Sequence, residues 1–222
     1  MRRLRPTDGT LVHRRAAMYH VTRCRSVNEA QHKQIADDMQ ALYARLVKES
    51  RTVEDADDAA TAATATADAR ELALENTIRD TDAELAHIDR IDPSQAAQAT
   101  VFPRGFGEVI DPENDAQLEA LPPVHRALKP YRSHASVDTL AQRLESDETL
   151  LRQGLEAVEA ADEQVDAAFA DENNARRAIR EQMEVAYGKL RAFYKSRPAQ
   201  AERFFLREGN RRPSTAKKNQ PR

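Results

Sequence analysis

The chain has 222 residues, of which 32% are charged and 5% aromatic, with no Trp and a net charge of −3. Hydrophobic residues reach 40%, but much of that share is alanine, which buries little area. This composition excludes a thick globular core and favours long helices that each bury one narrow stripe.

A single cysteine, Cys24, rules out a disulfide within the chain. It suits a reducing compartment, so a cytoplasmic location is expected. No apolar run approaches the roughly 18 residues of a membrane-spanning helix. The N-terminus is rich in arginine without an apolar core, which argues against a secretory signal. Residues 1–17 read either as a targeting segment or as an extension upstream of a chain starting at Met18.

The net charge conceals a pattern. Residues 1–25 carry seven Arg and one Asp, residues 203–222 carry five Arg, two Lys and one Glu, and the body 26–202 is left with −15. Residues 1–25 are expected to form a disordered basic arm, and 198–222 a basic tail.

From 26 to 92 the chain has neither Gly nor Pro, and one long helix is predicted. Ser26, Val27, Asn28 and Glu29 read as a capping box. Ile35, Met39, Leu42, Leu46 and Val53 follow the 4, 3, 4, 7 spacing of a seam that packs on another helix. Small residues replace large ones at Ala56, Ala60, Ala63 and Ala67. Larger ones return at Leu74, Ile78, Leu85 and Ile88. Asp92-Pro93 ends the helix, because the residue before proline avoids helical backbone angles.

Residues 93–135 form a connector with six of the ten prolines. "TVFPRGFGEVI" reads as a small β-hairpin or a folded loop. Asp111-Pro112-Glu113 starts a short helix, 112–121, that stops at Pro122. Phe102, Phe106, Val109, Ile110, Leu118, Leu121 and Val124 are suited to cap the end of a helix pair.

A second long helix is predicted over 136–197. Its seam runs through Leu140, Leu144, Leu151, Leu155, Val158, Val165, Phe169, Ile179, Met183, Ala186, Leu190 and Phe193. Gly154 and Gly188 each cost about 1 kcal/mol inside it. The fold these segments predict is all-α: a long antiparallel helical hairpin, coiled-coil-like, over 26–197, with a Pro- and Gly-containing capping connector. In that hairpin residue i faces roughly residue 228 − i, which sets Phe169 against Ala59 and Ala60. The alternative is a compact four-helix bundle in which each long segment folds back near "ESRTVEDADD" and "DENNAR".

The chain lacks a phosphate-cradling loop, a Cys/His zinc spacing and a nucleophile elbow. Two Glu-x-x-His pairs, Glu29 with His32 and Glu84 with His87, match the ligand spacing of di-metal helical bundles. On one straight helix they stand about 80 Å apart, which makes solvated histidines the plainer reading. No cofactor is expected. Phe102, Arg104 and Phe106 in the connector, and Phe204, Phe205, Arg211 and Arg212 in the tail, are the candidate partner-binding residues.

These features predict a non-catalytic structural, scaffolding or protein-interaction helix protein that associates with itself or with a protein partner. The alternative is an accessory protein whose basic tails bind nucleic acid or anionic lipid. A di-metal carboxylate bundle is the third reading.

Overall fold

The computed structural model describes residues 4–206, which form helices and turns and no strand. In chain order they are α1 (Thr10–Arg25), α2 (Ala30–Ile91), α3 (Ala97–Val101), α4 (Gly107–Ile110), α5 (Asp115–Leu128), α6 (Ala135–Phe193) and α7 (Pro198–Ala201), with single 3-10 turns after α2, α5 and α7. Helices α2 and α6 pack against each other as an antiparallel hairpin. Each is unbroken, at 62 and 59 residues, so neither long segment folds back into the four-helix arrangement. No described helix is long and apolar enough to cross a membrane.

The chain divides into two compact units. The terminal unit is Met1–Asp55 with Asp166–Arg222, and the crossover unit is Ala56–Val165.

In the crossover unit, Leu74, Ile78 and Leu85 of α2 meet Leu144 and Leu151 of α6, all fully buried. Thr77 donates to Asp147 across the pair at 2.6 Å, and Ser136 to Glu84 at 2.6 Å. Gly154 explains itself here. A Cβ on it would stand 3.2 Å from the Cα of Ala67, so the helices approach each other across a Gly–Ala contact. The connector does cap this core: Val101, Phe102, Val109, Leu118, Leu121 and Val124 join the same apolar cluster.

Its local structure differs from the prediction. The segment expected as a β-hairpin or loop is two short helices, α3 and α4. The start of α3 is organised by Asp89 of α2, whose carboxylate accepts from the amides of Ala97 (2.6 Å) and Gln98 (2.9 Å). That long-range cap is invisible to a local reading of "TVF". Helix α5 starts at Asp115 rather than at Pro112, and runs through Pro122 and Pro123. A proline inside a helix costs about 3 kcal/mol. Both rings lie exposed, while Leu118, Leu121, Val124 and Leu128 bury the opposite face. Burial of that face offsets the lost backbone bonds.

In the terminal unit the core is built by Ala17, Val21 and Cys24 of α1, Ile35, Met39 and Leu46 of α2, and Ile179 and Leu190 of α6, closed by Phe204 and Phe205. Residues 10–25, expected to be a disordered arm, are therefore a packed helix. The buried row His13, Ala17, His20 and Cys24 has the same 4, 3, 4 spacing as the other seams. It goes unread when histidine is counted as polar. The expected capping box is absent. The Ser26 hydroxyl donates to the Arg23 carbonyl at 2.7 Å, closing α1, and α2 begins only at Ala30.

Pairing of the long helices follows the predicted register at Asp38 and Lys189, 3.6 Å apart. It departs from it at Glu84, which meets Ser136 rather than residue 144. Phe169 is half exposed with Arg176 over its ring, because Ala168 takes the buried position beside it.

Candidate functional site

Chemically capable side chains gather in the terminal unit. Helix α1 presents His13, His20 and Cys24 inward, α2 adds His32, and all four are fully buried. After α6, Pro198 starts the single turn α7 and turns the chain back, so that Phe204 and Phe205 land on this surface.

His20 is the pivot. Its Nδ1 donates to the Phe204 carbonyl at 3.1 Å, which leaves Nε2 as an acceptor. The Cys24 thiol lies 3.7 Å from that nitrogen and donates to it. The imidazole stacks on Phe205, centroids 4.7 Å apart. Burial pushes the His20 imidazole down to about 4, against the opposing pull of the Phe204 carbonyl. Burial also pushes the Cys24 thiol up to about 12, against the nearby charge of Arg23. Both shifts favour the neutral pair. A cysteine nucleophile needs the opposite, a thiolate beside an imidazolium in an accessible site. The chemistry this arrangement performs is adhesion: one hydrogen bond and one ring stack hold residues 204–205 on α1.

His32 sits in an aromatic enclosure of Phe193, Tyr194 and Phe204, with ring centroids at 5.0, 5.6 and 5.2 Å. Its Nε2 is 3.0 Å from the Tyr194 hydroxyl. Glu29 stands 3.4 Å from Nδ1, close enough for electrostatic attraction but misaligned for a hydrogen bond. Burial lowers the His32 pKa, and Glu29 opposes the shift.

His13 belongs to a polar layer. Its Nδ1 donates to the Gly9 carbonyl and its Nε2 accepts from Arg180, both at 3.1 Å. Beside it, Thr10 donates to Glu172 at 2.7 Å. Glu172 is buried, 3.8 Å from Arg176, which also bonds to Asn173. Burial, chiefly, lowers the His13 pKa, with Arg180 and Arg176 adding to the shift. A cavity of about 230 Å³ lies next to this layer, lined by Val12, Ala16, Met183 and Phe205 with Arg180 on its wall.

The predicted metal residues fall into separate settings. Glu29 and His32 form the contact just described, within an aromatic wall. Glu84 accepts from Ser136, and His87 is exposed. Among the described residues no group of three or more His, Cys, Asp or Glu side chains is arranged to hold a metal ion. Of the candidate partner residues, Phe102, Phe204 and Phe205 are buried in the chain's own core. Phe106 is half-buried, and Arg104 is exposed and paired with Glu108 at 2.8 Å. Arg211 and Arg212 lie outside the described residues.

The sequence missed the histidine row of α1 and the polar layer. A signal for the second was present. Val158, Val165, Glu172, Ile179 and Ala186 recur every seventh residue, which puts Glu172 in a seam position despite its charge.

No family model matches the chain, no curated protein matches it, and no solved structure matches it.

Proposed function

We propose that the chain is a non-catalytic helical interaction protein, working in the cytoplasm as a structural or scaffolding element. The observation that carries this reading is the use made of its reactive side chains. The Cys24 thiol and the His20 imidazole are buried, favoured in their neutral forms and committed to seating Phe204 and Phe205 on α1. What remains for other molecules is helix surface. In the terminal unit, Leu11 and Met18 are 56% and 39% exposed on α1. In the crossover unit, Leu72 is 56% exposed on α2. Large apolar side chains on helix faces are suited to helix-against-helix recognition.

The test is a photo-crosslinking amino acid placed at Met18, with His87 on the solvated face of α2 as control. Irradiation of the full chain in the cells that make it is expected to give a discrete covalent adduct with a protein from position 18. A Met18 probe that yields no protein adduct would overturn the interaction reading.

A further inference from the structure

Beyond its helix surfaces, the terminal unit also offers other molecules an interior space, the cavity beside the polar layer. Its apolar walls come from three segments: Val12 and Ala16 on α1, Met183 on α6, and Phe205 where the chain lies back on the bundle. At about 230 Å³ it is larger than the roughly 150 Å³ apolar cavity that takes up a benzene molecule. It therefore has room for a branched apolar side chain. Apolar walls with a few placed polar groups are the makeup of small-molecule sites.

The polar part of the wall is charged. Arg180 is half-buried, and its one bond among the described residues, to His13 Nε2 at 3.1 Å, leaves most of its N–H donors unused. Because the Gly9 carbonyl holds the other side of the His13 ring, that bond fixes the direction of the guanidinium. Arg180 thus has no carboxylate partner among the described residues. Glu181 lines the same cavity, and it too has no ion pair or hydrogen bond among the described residues. Glu184, the third charged residue of the wall, is engaged in a contact of its own. One cation and one anion therefore line the cavity, paired neither with each other nor elsewhere.

That pair of charges selects among small apolar ligands. A carboxylate alone gains one attraction and meets one repulsion of similar kind, because Arg180 and Glu181 are neighbours on α6. An amine alone does the same with the signs exchanged. A ligand that carries both groups on one carbon gains two attractions. We propose that the cavity binds a free α-amino acid with an apolar side chain such as that of leucine, its carboxylate at Arg180 and its ammonium at Glu181. The planar guanidinium suits a carboxylate, which it holds with two parallel N–H groups. The apolar side chain enters between Ala16, Met183 and Phe205. The site goes beyond the interaction reading above and does not depend on it. Because α1, α6 and Phe205 each supply a wall, a bound ligand favours the seated C-terminal segment.

Isothermal titration calorimetry of the full chain at pH 7 tests this. L-leucine is expected to bind at one molecule per chain. Isocaproate, which is leucine without its ammonium, and isopentylamine, which is leucine without its carboxylate, should each bind about tenfold more weakly or worse. Glycine has the same head group and no side chain, and should give no heat of binding. Glu181→Gln alters an exposed position that no contact of the fold uses. It should erase the preference for leucine over isocaproate. Arg180→Gln should weaken leucine binding by about tenfold or more. Ala16→Leu, whose added carbons occupy the cavity, should abolish binding with the helix content unchanged. No heat from leucine up to about 10 mM, well above a millimolar dissociation constant, overturns the proposal. So does glycine binding as tightly as leucine, a Glu181→Gln variant that keeps the preference, or an Ala16→Leu variant that still binds. Isocaproate binding as tightly as leucine to the unaltered chain overturns it in favour of a plain carboxylate site.

Discussion

Lowering the pH from 7 to 5 is expected to destabilise the terminal unit by roughly 2 kcal/mol through His20 alone. The sign follows from where the protons go. In the unfolded chain the imidazole titrates near 6.5, and in the fold burial holds it down to about 4. Above the unfolded value both states are neutral, so this group contributes no pH dependence there. As the pH falls below 6.5 the unfolded state takes up a proton that the folded state refuses, and stability is lost. The loss saturates below the folded value near 4. His13 and His32 are also lowered, chiefly by burial, and push in the same direction. Urea titrations at pH 7 and pH 5 measure the effect. Tyrosine fluorescence is a suitable probe: there is no Trp, and four of the five tyrosines, Tyr19, Tyr43, Tyr187 and Tyr194, lie in the terminal unit. His20→Gln, which cannot titrate, should flatten the pH dependence by the His20 share. Equal pH dependence in the variant would show that His20 does not hold the segment.

Phe204→Ala is expected to cost about 3–5 kcal/mol, the usual range for deleting a buried phenylalanine ring. Phe204 stacks on Tyr194 at 5.8 Å, touches the His32 ring at 5.2 Å and is 6% exposed. Its removal opens a void against both rings and unseats the carbonyl that His20 bonds. Water then reaches His20, so its pKa should rise toward the unfolded value and the acid sensitivity should shrink together with the stability. Phe169→Ala is the contrast. Its ring is 50% exposed, and the loss should stay within about 0.5 kcal/mol. Equal costs for the two substitutions would contradict the burial of the C-terminal segment.

The long helices were legible because their signals are local and repeated. The 67 residues from 26 to 92 contain no Gly or Pro, and their 3,4 spacing needs no knowledge of the partner. The cap of Phe102, Val109, Leu118 and Leu121 was legible for the same reason, as an apolar cluster where the chain must cross over. What stayed hidden depends on partners distant in sequence. Asp89 fixes the start of α3 from the preceding helix. Burial of Leu118, Leu121, Val124 and Leu128 carries α5 through two prolines. Above all, α1 is a helix because its two histidines, His13 and His20, behave as core residues when neutral. A residue that is polar in water and tolerable in a core once each ring nitrogen has a partner is ambiguous by its chemistry. Its burial cannot be read from arginine-rich surroundings such as "LVHRRAAMYHVTRCR". The candidate site was hidden with it, since its residues come from α1, the start of α2, residues 172–180 of α6 and residues 193–205.

The measurement that bears most directly on a closed, structural histidine–cysteine cluster is the alkylation of Cys24 by iodoacetamide in the full chain at pH 7. With the thiol fully buried and its pKa pushed up to about 12, the native protein is expected to stay unlabelled over hours and to react to completion in guanidinium chloride. Rapid stoichiometric labelling of the native protein would mean an accessible thiolate beside His20. That result would contradict the structural reading and make the cluster a reactive centre.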